Sequence, residues 1–594
     1  MPRSELPRPT ARPAPGSGIL RRLVHDIAAE CVCAGCDPAV IDSVEAATPR
    51  HIADFKAISS AGAPCRAEDA DALFRVLKAT SWVRRCVSVP PHCYFDVEPE
   101  RLDTILLNEL CRERSFGYLP GEAFTDRDVA LAYCSPNANK PLHVGHARNL
   151  FLGGVLSNLL EFAGVRVFRS LCVSDYGIHI FKAAAQYLRS GGGATPASAG
   201  MKGDHFIGSF YVKYGTDEGV HGSVALRAED LSKLWMAGDP AARELTRQVA
   251  GWAEAGFRET FAVWGARFHH WFRETEEQRY IDSFLREQAE RGTVRRDEHG
   301  RLVVDLDGAA PVPLLRSDGS TLYMSHMVAA ILQRTDYLGP RARVLVSLTA
   351  QEQILAFVQL NKVLHRFGYA DRVEVHHLWH GLVTIGGEKV SSREGAATTL
   401  DAVYADLCDE YERRGLGALA PACARGTLRL YLLGRPVRKP LDFSLAQCVA
   451  TGGGLVMSVA RTLQATARLQ GGPGTARGPA LPRAHQQALA VWRMRLTAFP
   501  LVVDRAVREY DPSHLVRYLA DVCGGFLALH RALAGQEGVF PADLARLALP
   551  LRRVVDQALA LLDAREVEYE MVPLERASAP ERRRGREAAA GTPG

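Results

Sequence analysis

Apolar runs and helical periodicities alternate through the middle of this chain. Val129 to Tyr133 is a short apolar segment, the pattern of a buried parallel strand. Asn149 to Phe162 is apolar at helical spacing and predicts a helix. Val165 to Val173 predicts a second buried strand, and Val344 to Ser347 followed by Ala350 to Leu364 predicts the next strand and helix. Before this region, Ala70 to Ser81 places Leu73, Val76 and Leu77 on one helical face. Cys86 to Val97 has strand character, and Leu102 to Leu110 is again helical. Ala225 to Trp264 reads as a helical insertion, and Gly191 to Gly203 as a surface loop. From Leu400 onward the pattern is helical, with amphipathic stretches at Thr451 to Leu469 and His485 to Ala564. The expected fold class is multidomain α/β plus all-α. A flexible arm spans 1–16, a small α+β domain 17–122, an α/β domain with an insertion 123–400, a helical domain 401–574 and a disordered tail 575–594.

Composition changes this picture little. The 594 residues are 47% apolar and 23% charged, an ordinary globular balance with ample core. A net charge of +5 permits a polyanionic partner without requiring one. No run of 18 apolar residues marks a membrane span, and Met1 to Gly16 lacks the apolar core of a secretory signal. Thirteen cysteines without paired spacing suit a reducing compartment. Cys31, Cys33 and Cys36 cluster, but no fourth ligand stands at a standard offset, and His269-His270 has no carboxylate or cysteine at ligand spacing. No metal site is expected from either.

Candidate chemistry gathers in Ser135-Pro136-Asn137-Ala138-Asn139-Lys140-Pro141-Leu142-His143-Val144-Gly145-His146, between the first strand and its helix. A helix N-terminus attracts phosphate, and two imidazoles one turn apart there can donate to phosphate oxygens where charge develops. Farther on, Ser174-Asp175-Tyr176-Gly177 follows a strand directly, which places polar groups at the carboxyl edge of the sheet. Leu315-Arg316-Ser317-Asp318-Gly319-Ser320-Thr321-Leu322-Tyr323 has the look of a turn leading into a helix. Gly386-Gly387-Glu388-Lys389-Val390-Ser391-Ser392-Arg393 is a glycine-hinged, cationic loop.

These strings resemble the signatures of class I aminoacyl-tRNA synthetases, in the form found in arginyl-tRNA synthetases, over roughly Ala53 to Met571. Gly203 to Tyr214 and Phe257 to Glu276 track the same family, without revealing their chemistry. The resemblance implies a Rossmann-like catalytic domain, an N-terminal domain of tRNA-contact type and a C-terminal helical bundle of anticodon-binding type. It implies ATP and Mg2+, with tRNA and an amino acid as partners of a cytoplasmic monomer that does not engage membranes. By position, Lys140, His143, His146, Lys389 and Arg393 would be catalytic, and His143, Gly145, His146, Lys389, Ser391 and Ser392 would hold ATP. Ser135, Asn137, Asp175, Tyr323 and Gln353 would hold the amino acid. Ser392 stands where the second signature usually carries its second lysine, and Lys140 stands where the family places a compensating one.

Two positions depart from the family. The acids that bind the substrate guanidinium there are Ala132 and Met327 here. Removing one partner of a buried ion pair costs roughly 3–5 kcal/mol, so arginine is expected to be a poor substrate. Three functions follow: an arginyl-tRNA synthetase-like ligase, a diverged paralogue activating another amino acid in a specialised pathway, or a non-catalytic RNA-binding protein that retained the fold. In the helical domain the family's aromatic segment reads Phe526-Leu527-Ala528-Leu529-His530, which reduces the aromatics available to stack on bases.

Overall fold

The computed structural model describes residues 43–46, 55–58, 67–89, 92–98, 101, 104, 128–217, 227–339, 344–390, 399–471, 483–534 and 542–565. The arm 1–16, Cys31, Cys33 and Cys36, the tail 575–594, and the helix expected over 102–110 (apart from 104) lie outside these residues.

Strands β1 (Ser43–Ala46), β2 (Phe55–Ile58), β3 (Val83–Val89) and β4 (His92–Val97) form an antiparallel sheet in the order β1-β2-β4-β3, with helix α1 (Ala67–Ala79) beside it. The single stretch Cys86 to Val97 is thus two strands paired as a hairpin. Leu73, Leu77, Phe95 and Val97 are its buried core.

The central sheet is parallel. Strands β5 (Asp128–Ala132), β6 (Arg166–Val173), β7 (His270–Arg273), β11 (Val344–Ala350) and β12 (Glu374–His380) run in the order β12-β11-β5-β6-β7. Strand β5 is central, which is why Ala130, Leu131 and Ala132 are all buried. Helix α2 (Val144–Phe162) crosses from β5 to β6 and begins five residues before the predicted start. It is apolar nearly all round, with Leu150, Leu152, Leu156, Leu159 and Leu160 buried, because the C-terminal helices cover the face it turns away from the sheet.

Between β6 and β7 the insertion supplies helices α3 (Ile178–Ser190), α4 (Gly203–Asp217), α5 (Ala228–Met236) and α6 (Pro240–Val263). After β7 a 3-10 turn (Glu274–Glu277) leads into α7 (Gln278–Glu290). A three-stranded antiparallel sheet of β8 (Val294–Arg296), β9 (Leu302–Val304) and β10 (Val312–Leu315) precedes α8 (Tyr323–Leu338), and α9 (Ile354–Arg366) joins β11 to β12. The two rings of His269-His270 each have a protein partner. His269 Nδ1 accepts from the Arg169 N–H at 2.9 Å, and the His270 ring lies 4.2 Å from that of Tyr337.

Strands β13 (Val383–Ile385) and β14 (Glu388–Lys389) form a hairpin through Gly386 and Gly387, whose φ angles of +61° and +81° suit a tight two-residue turn. Its edge pairs with β15 (Leu441–Asp442). The remainder is helical, from α10 (Leu400–Arg413) and α11 (Ala420–Gly434) through helices spanning Gly454–Gly471, Arg483–Thr497, Phe499–Glu509, Ser513–Ala534 and Ala542–Leu561. Phe526 is fully buried there against Trp492, so its ring belongs to the core and not to an RNA-stacking face. No helix among the described residues is long and apolar enough to cross a membrane.

Candidate active site

A cleft of about 980 Å3 opens at the carboxyl ends of β5, β6 and β11. Its first wall is the loop from β5 to α2. Cys134 there has φ +53°, a strained value for a residue with a side chain, and its N–H donates to Asn149 Oδ1 at 2.7 Å. The loop is pinned to the end of β6, where Ser174 N–H donates to Pro136 O and Ala138 N–H donates to Ser174 O. Asn149 Nδ2 donates to Leu348 O and to His380 Nε2, because His380 Nδ1 already donates to Gly381 O. One asparagine thereby holds loop, β11 and β12 together.

His143 caps α2 and His146 stands one turn in. The Gly145 N–H donates to His143 Nδ1 at 3.1 Å, and the His143 N–H donates to His146 Nδ1 at 3.2 Å. Both rings are therefore acceptors at Nδ1 and carry their proton on Nε2. Burial holds both neutral, assisted by nearby positive charge. His143 is lowered to about 4, and His146 is well below the ordinary histidine value. They offer neutral N–H donors at the positive end of a helix.

Two ammonium groups share this end of the cleft. Burial, and then the charge of Lys389, lower Lys140 to about 8. Lys389 is held by Glu352, 2.8 and 2.9 Å from its two carboxylate oxygens. Lys140 loses its charge as pH rises through about 8, and a phosphate bound beside it would raise that value. The KM for ATP is therefore expected to climb above pH 8, by up to about tenfold per pH unit, in initial rates from pH 7 to 9.5.

Ser391, Ser392 and Arg393 lie outside the described residues. The residues on either side of them are fixed. Val390 lines the cleft, and the chain returns where Leu400 N–H donates to Leu142 O and Thr399 bridges His143. Helix α4 braces the same corner. Gly208 has no Cβ where one would meet Pro141 Cδ at 2.8 Å, so the helix sits directly on the Lys140-Pro141 segment. Lys202 bonds both Asp204 and Asp401, and His205 bonds Asp401 at 2.8 Å. This gives the Gly203 to Tyr214 stretch a structural task.

The opposite end is lined by Ala132, Ser135, Asn137, Tyr323, Met327 and Gln353. The Tyr323 hydroxyl donates to Gln353 Oε1 at 3.0 Å, and Ser135 Oγ accepts from the Cys172 N–H at 3.2 Å. Asp175 is the expected amino-acid contact that the structure places elsewhere. It faces an adjoining cavity, and its carboxylate accepts from the Thr275 N–H and Oγ at 2.9 and 2.7 Å. Its task is to set the 3-10 turn that carries Glu274 and Glu277.

Those two acids and His326 also line the cleft, and none of the three had a predicted role. His326 Nδ1 lies 3.1 Å from Glu277 Oε2 and 3.4 Å from Glu274 Oε1, and Ser174 Oγ donates to Glu274 Oε2. Burial, with the charges of Glu277 and Asp175, raises Glu274 to about 7 against the opposing effects of His326 and Ser174. Burial also raises Glu277. For His326, burial opposes the charge, but the bond to Glu277 and the field of both acids outweigh it and lift its pKa above the ordinary value. Two groups among the described residues bring three potential metal ligands within 4.8 Å of one another, namely Asp204, His205 and Asp401, and Glu274, Glu277 and His326. In the first, the Lys202 ammonium already serves as the cation.

A family model described as the catalytic domain of class I tRNA synthetases (R) matches residues 117–419. An arginine–tRNA ligase of Amoebophilus asiaticus is 31% identical over 379 residues, which cover 57% of this chain and 62% of that protein. The matched region thus spans less than two thirds of that relative. An arginine–tRNA ligase of Parabacteroides distasonis is 28% identical over 458 residues, 70% of this chain and 76% of that one. Among solved structures, Thermus thermophilus arginyl-tRNA synthetase superposes with a TM-score of 0.66 at 20% identity, over 91% of this chain and 98% of that chain, a likeness of fold.

Proposed function

Because this chain belongs to the arginyl-tRNA synthetase family of class I, we propose that it activates an amino acid with ATP and transfers it to tRNA. The observation that carries this reading is the pair His143 and His146, tautomer-locked and neutral at a helix N-terminus, with Lys140 and Lys389 beside it in one cleft. The amino-acid carboxylate attacks the α-phosphorus of ATP, and the bond to pyrophosphate breaks. The two Nε2–H groups donate to phosphate oxygens as charge moves onto them. Lys140 and Lys389 meet the leaving pyrophosphate, so Lys389 exchanges Glu352 for phosphate. By the family resemblance alone, Arg393, Ser391 and Ser392 are assigned the same task. Gly145 lets the backbone come close to the phosphates. Asn137, Ser135, Tyr323 and Gln353 hold the amino acid.

The Mg2+ that the family implies has no fitting donors at the phosphate end. The groups there among the described residues are imidazoles, ammonium groups and Glu352, which Lys389 occupies. The metal's donors would be the phosphate oxygens of ATP. The same reading assigns tRNA contact to residues 17–122 and anticodon contact to 401–574, with catalysis in 123–400, in a cytoplasmic monomer.

Arginine is the amino acid in the names of the relatives, and the first substrate to test. A second reading, a paralogue using another amino acid, rests on Ala132 and Met327, which line the cleft without charge. Amino-acid-dependent ATP–pyrophosphate exchange, run with and without total tRNA against all standard amino acids, separates the two. Exchange that requires one amino acid and tRNA is the expected result, and silence with every amino acid would overturn the activation reading.

A further inference from the structure

A second cavity, of about 1020 Å3, lies where the α/β domain meets the C-terminal helices, and it shares no lining residue with the cleft. Helix α2 forms one wall with Asn158 and Glu161, and the turn before β7 forms another with Arg267 and Phe268. The end of the last helix closes it with Asp563 and Arg565. The lining carries five guanidinium groups, those of Arg169, Arg267, Arg425, Arg429 and Arg565, against two carboxylates, those of Glu161 and Asp563. Both acids already have arginine partners. Glu161 Oε2 accepts from Arg169 at 2.7 Å, and Asp563 Oδ2 lies 3.4 Å from Arg429 Nη2. Between the arginines the wall is apolar, with Leu150, Phe151 and Val263. Gly154 and Gly265 face open space, since a Cβ at either would meet nothing within 4 Å. The cavity therefore suits a guest that is both acidic and apolar.

The chain itself leads to this cavity. Asn158 Nδ2 donates to Leu561 O at 3.2 Å, and Arg429 donates to Asp563 O, so the helix end is pinned to α2 and α11. Asp563 has φ +55°, and the Ala564 N–H donates back to Leu559 O at 2.8 Å, a left-handed cap that turns the chain off the helix axis. The described residues run to Arg565, on the lining itself. The sequence then reads Glu566-Val567-Glu568-Tyr569-Glu570-Met571, acid and apolar in strict alternation. In an extended chain that period puts the three glutamates on one side and Val567, Tyr569 and Met571 on the other. Six residues span about 20 Å at full extension, enough to cross a cavity of this volume.

We propose that Glu566 to Met571 occupies this cavity as an extended strap, its glutamates on the arginines and its apolar residues on the apolar wall. The strap ties the last helix to α2, whose N-terminus carries His143 and His146, and to the turn before β7. It stands independently of the activation reading.

The test is chymotryptic cleavage after Tyr569, which requires that ring to leave the cavity. Early cleavage at this bond is followed by mass spectrometry in the full chain and in a free peptide of residues 564–574. Wild type is compared with the triple variant Glu566→Gln, Glu568→Gln, Glu570→Gln and with Arg267→Glu, each against a peptide of its own sequence. Cleavage in the wild-type chain is expected to be at least about tenfold slower than in the peptide, because proteolysis follows the population of the released strap. Both variants are expected to lose at least about threefold of that protection. Arg267 is exposed, so its replacement leaves the fold intact, and if the triple variant does not fold, wild type and Arg267→Glu decide. Cleavage of wild type at the peptide's rate overturns the strap, as does protection that both substitutions leave unchanged. Protection that appears only when total tRNA is added assigns the arginines to RNA phosphates and likewise overturns it.

Discussion

Replacing His146 by alanine is expected to lower the rate of amino-acid-dependent ATP–pyrophosphate exchange by about 100- to 1,000-fold, the loss typical of one preorganised donor to developing charge. The group is partly buried and held neutral, and its Nδ1 is taken by the His143 N–H, so Nε2–H is its only free donor. The loss should appear mainly in kcat, since the bond strengthens as charge moves toward pyrophosphate. The same change removes a helix cap, costing about 1 kcal/mol of stability, too little to unfold a chain of this size. Denaturant midpoints measured beside the exchange rates separate the two effects. Because burial keeps His143 neutral down to about pH 4, the pair should add no inflection to the rate between pH 6 and 8. An alanine variant with unchanged exchange would remove His146 from the mechanism.

The largest stability effect is expected at Arg148. Its side chain is completely buried in α2 and donates to four backbone carbonyls, those of Gly381 at 3.0 Å, Pro436 at 3.1 Å, Val437 at 3.2 Å and Lys439 at 2.9 Å. Burial and the neighbouring Arg435 lower its pKa to about 10, yet it remains charged at neutral pH. One guanidinium thus joins helix α2 to the end of β12 and to the segment leading into β15. Arg148→Met removes four charge-assisted hydrogen bonds; Gly381 O keeps His380 Nδ1, Val437 O keeps the Gly381 N–H and Pro436 O keeps the Lys439 N–H, while Lys439 O loses its guanidinium donor. A net loss of roughly 3–5 kcal/mol is expected, at about 1.5–3 kcal/mol for each hydrogen bond to a charged group less what the retained donors recover. Arg148→Lys should recover little of it, because an ammonium cannot reproduce the planar fork. Urea titration of the three proteins gives the comparison. Exchange activity should fall in parallel, since Gly381 adjoins His380 on the cleft wall. A methionine variant as stable as wild type would show that the carbonyls find other donors.

Much of this protein was determined by local sequence. Strands β5 and β6, the helix between them, and β11 with α9 follow from apolar runs and periodicity, which act over a few residues. The Ser135 to His146 string is legible as a loop and capped helix start, because helix caps and tight loops depend on neighbours in the chain, and in the structure it forms one wall of the cleft. Tertiary structure decided everything that depends on charge and burial. Glu274 and His326 stand in strings that were legible as family-like, but nothing local shows that segments fifty residues apart converge on one nitrogen. Ala132 and Met327 are uncharged, and the turn after β7 brings two carboxylates, Glu274 and Glu277, to the same cleft. Asp175 follows a strand at the sheet's carboxyl edge, and only the fold shows that its carboxylate accepts from Thr275 and lines an adjoining cavity. The neutral state and tautomer of His143 and His146 are likewise tertiary facts. A pKa and a hydrogen-bond partner are sums over neighbours in space, and sequence order does not specify which distant groups those neighbours are.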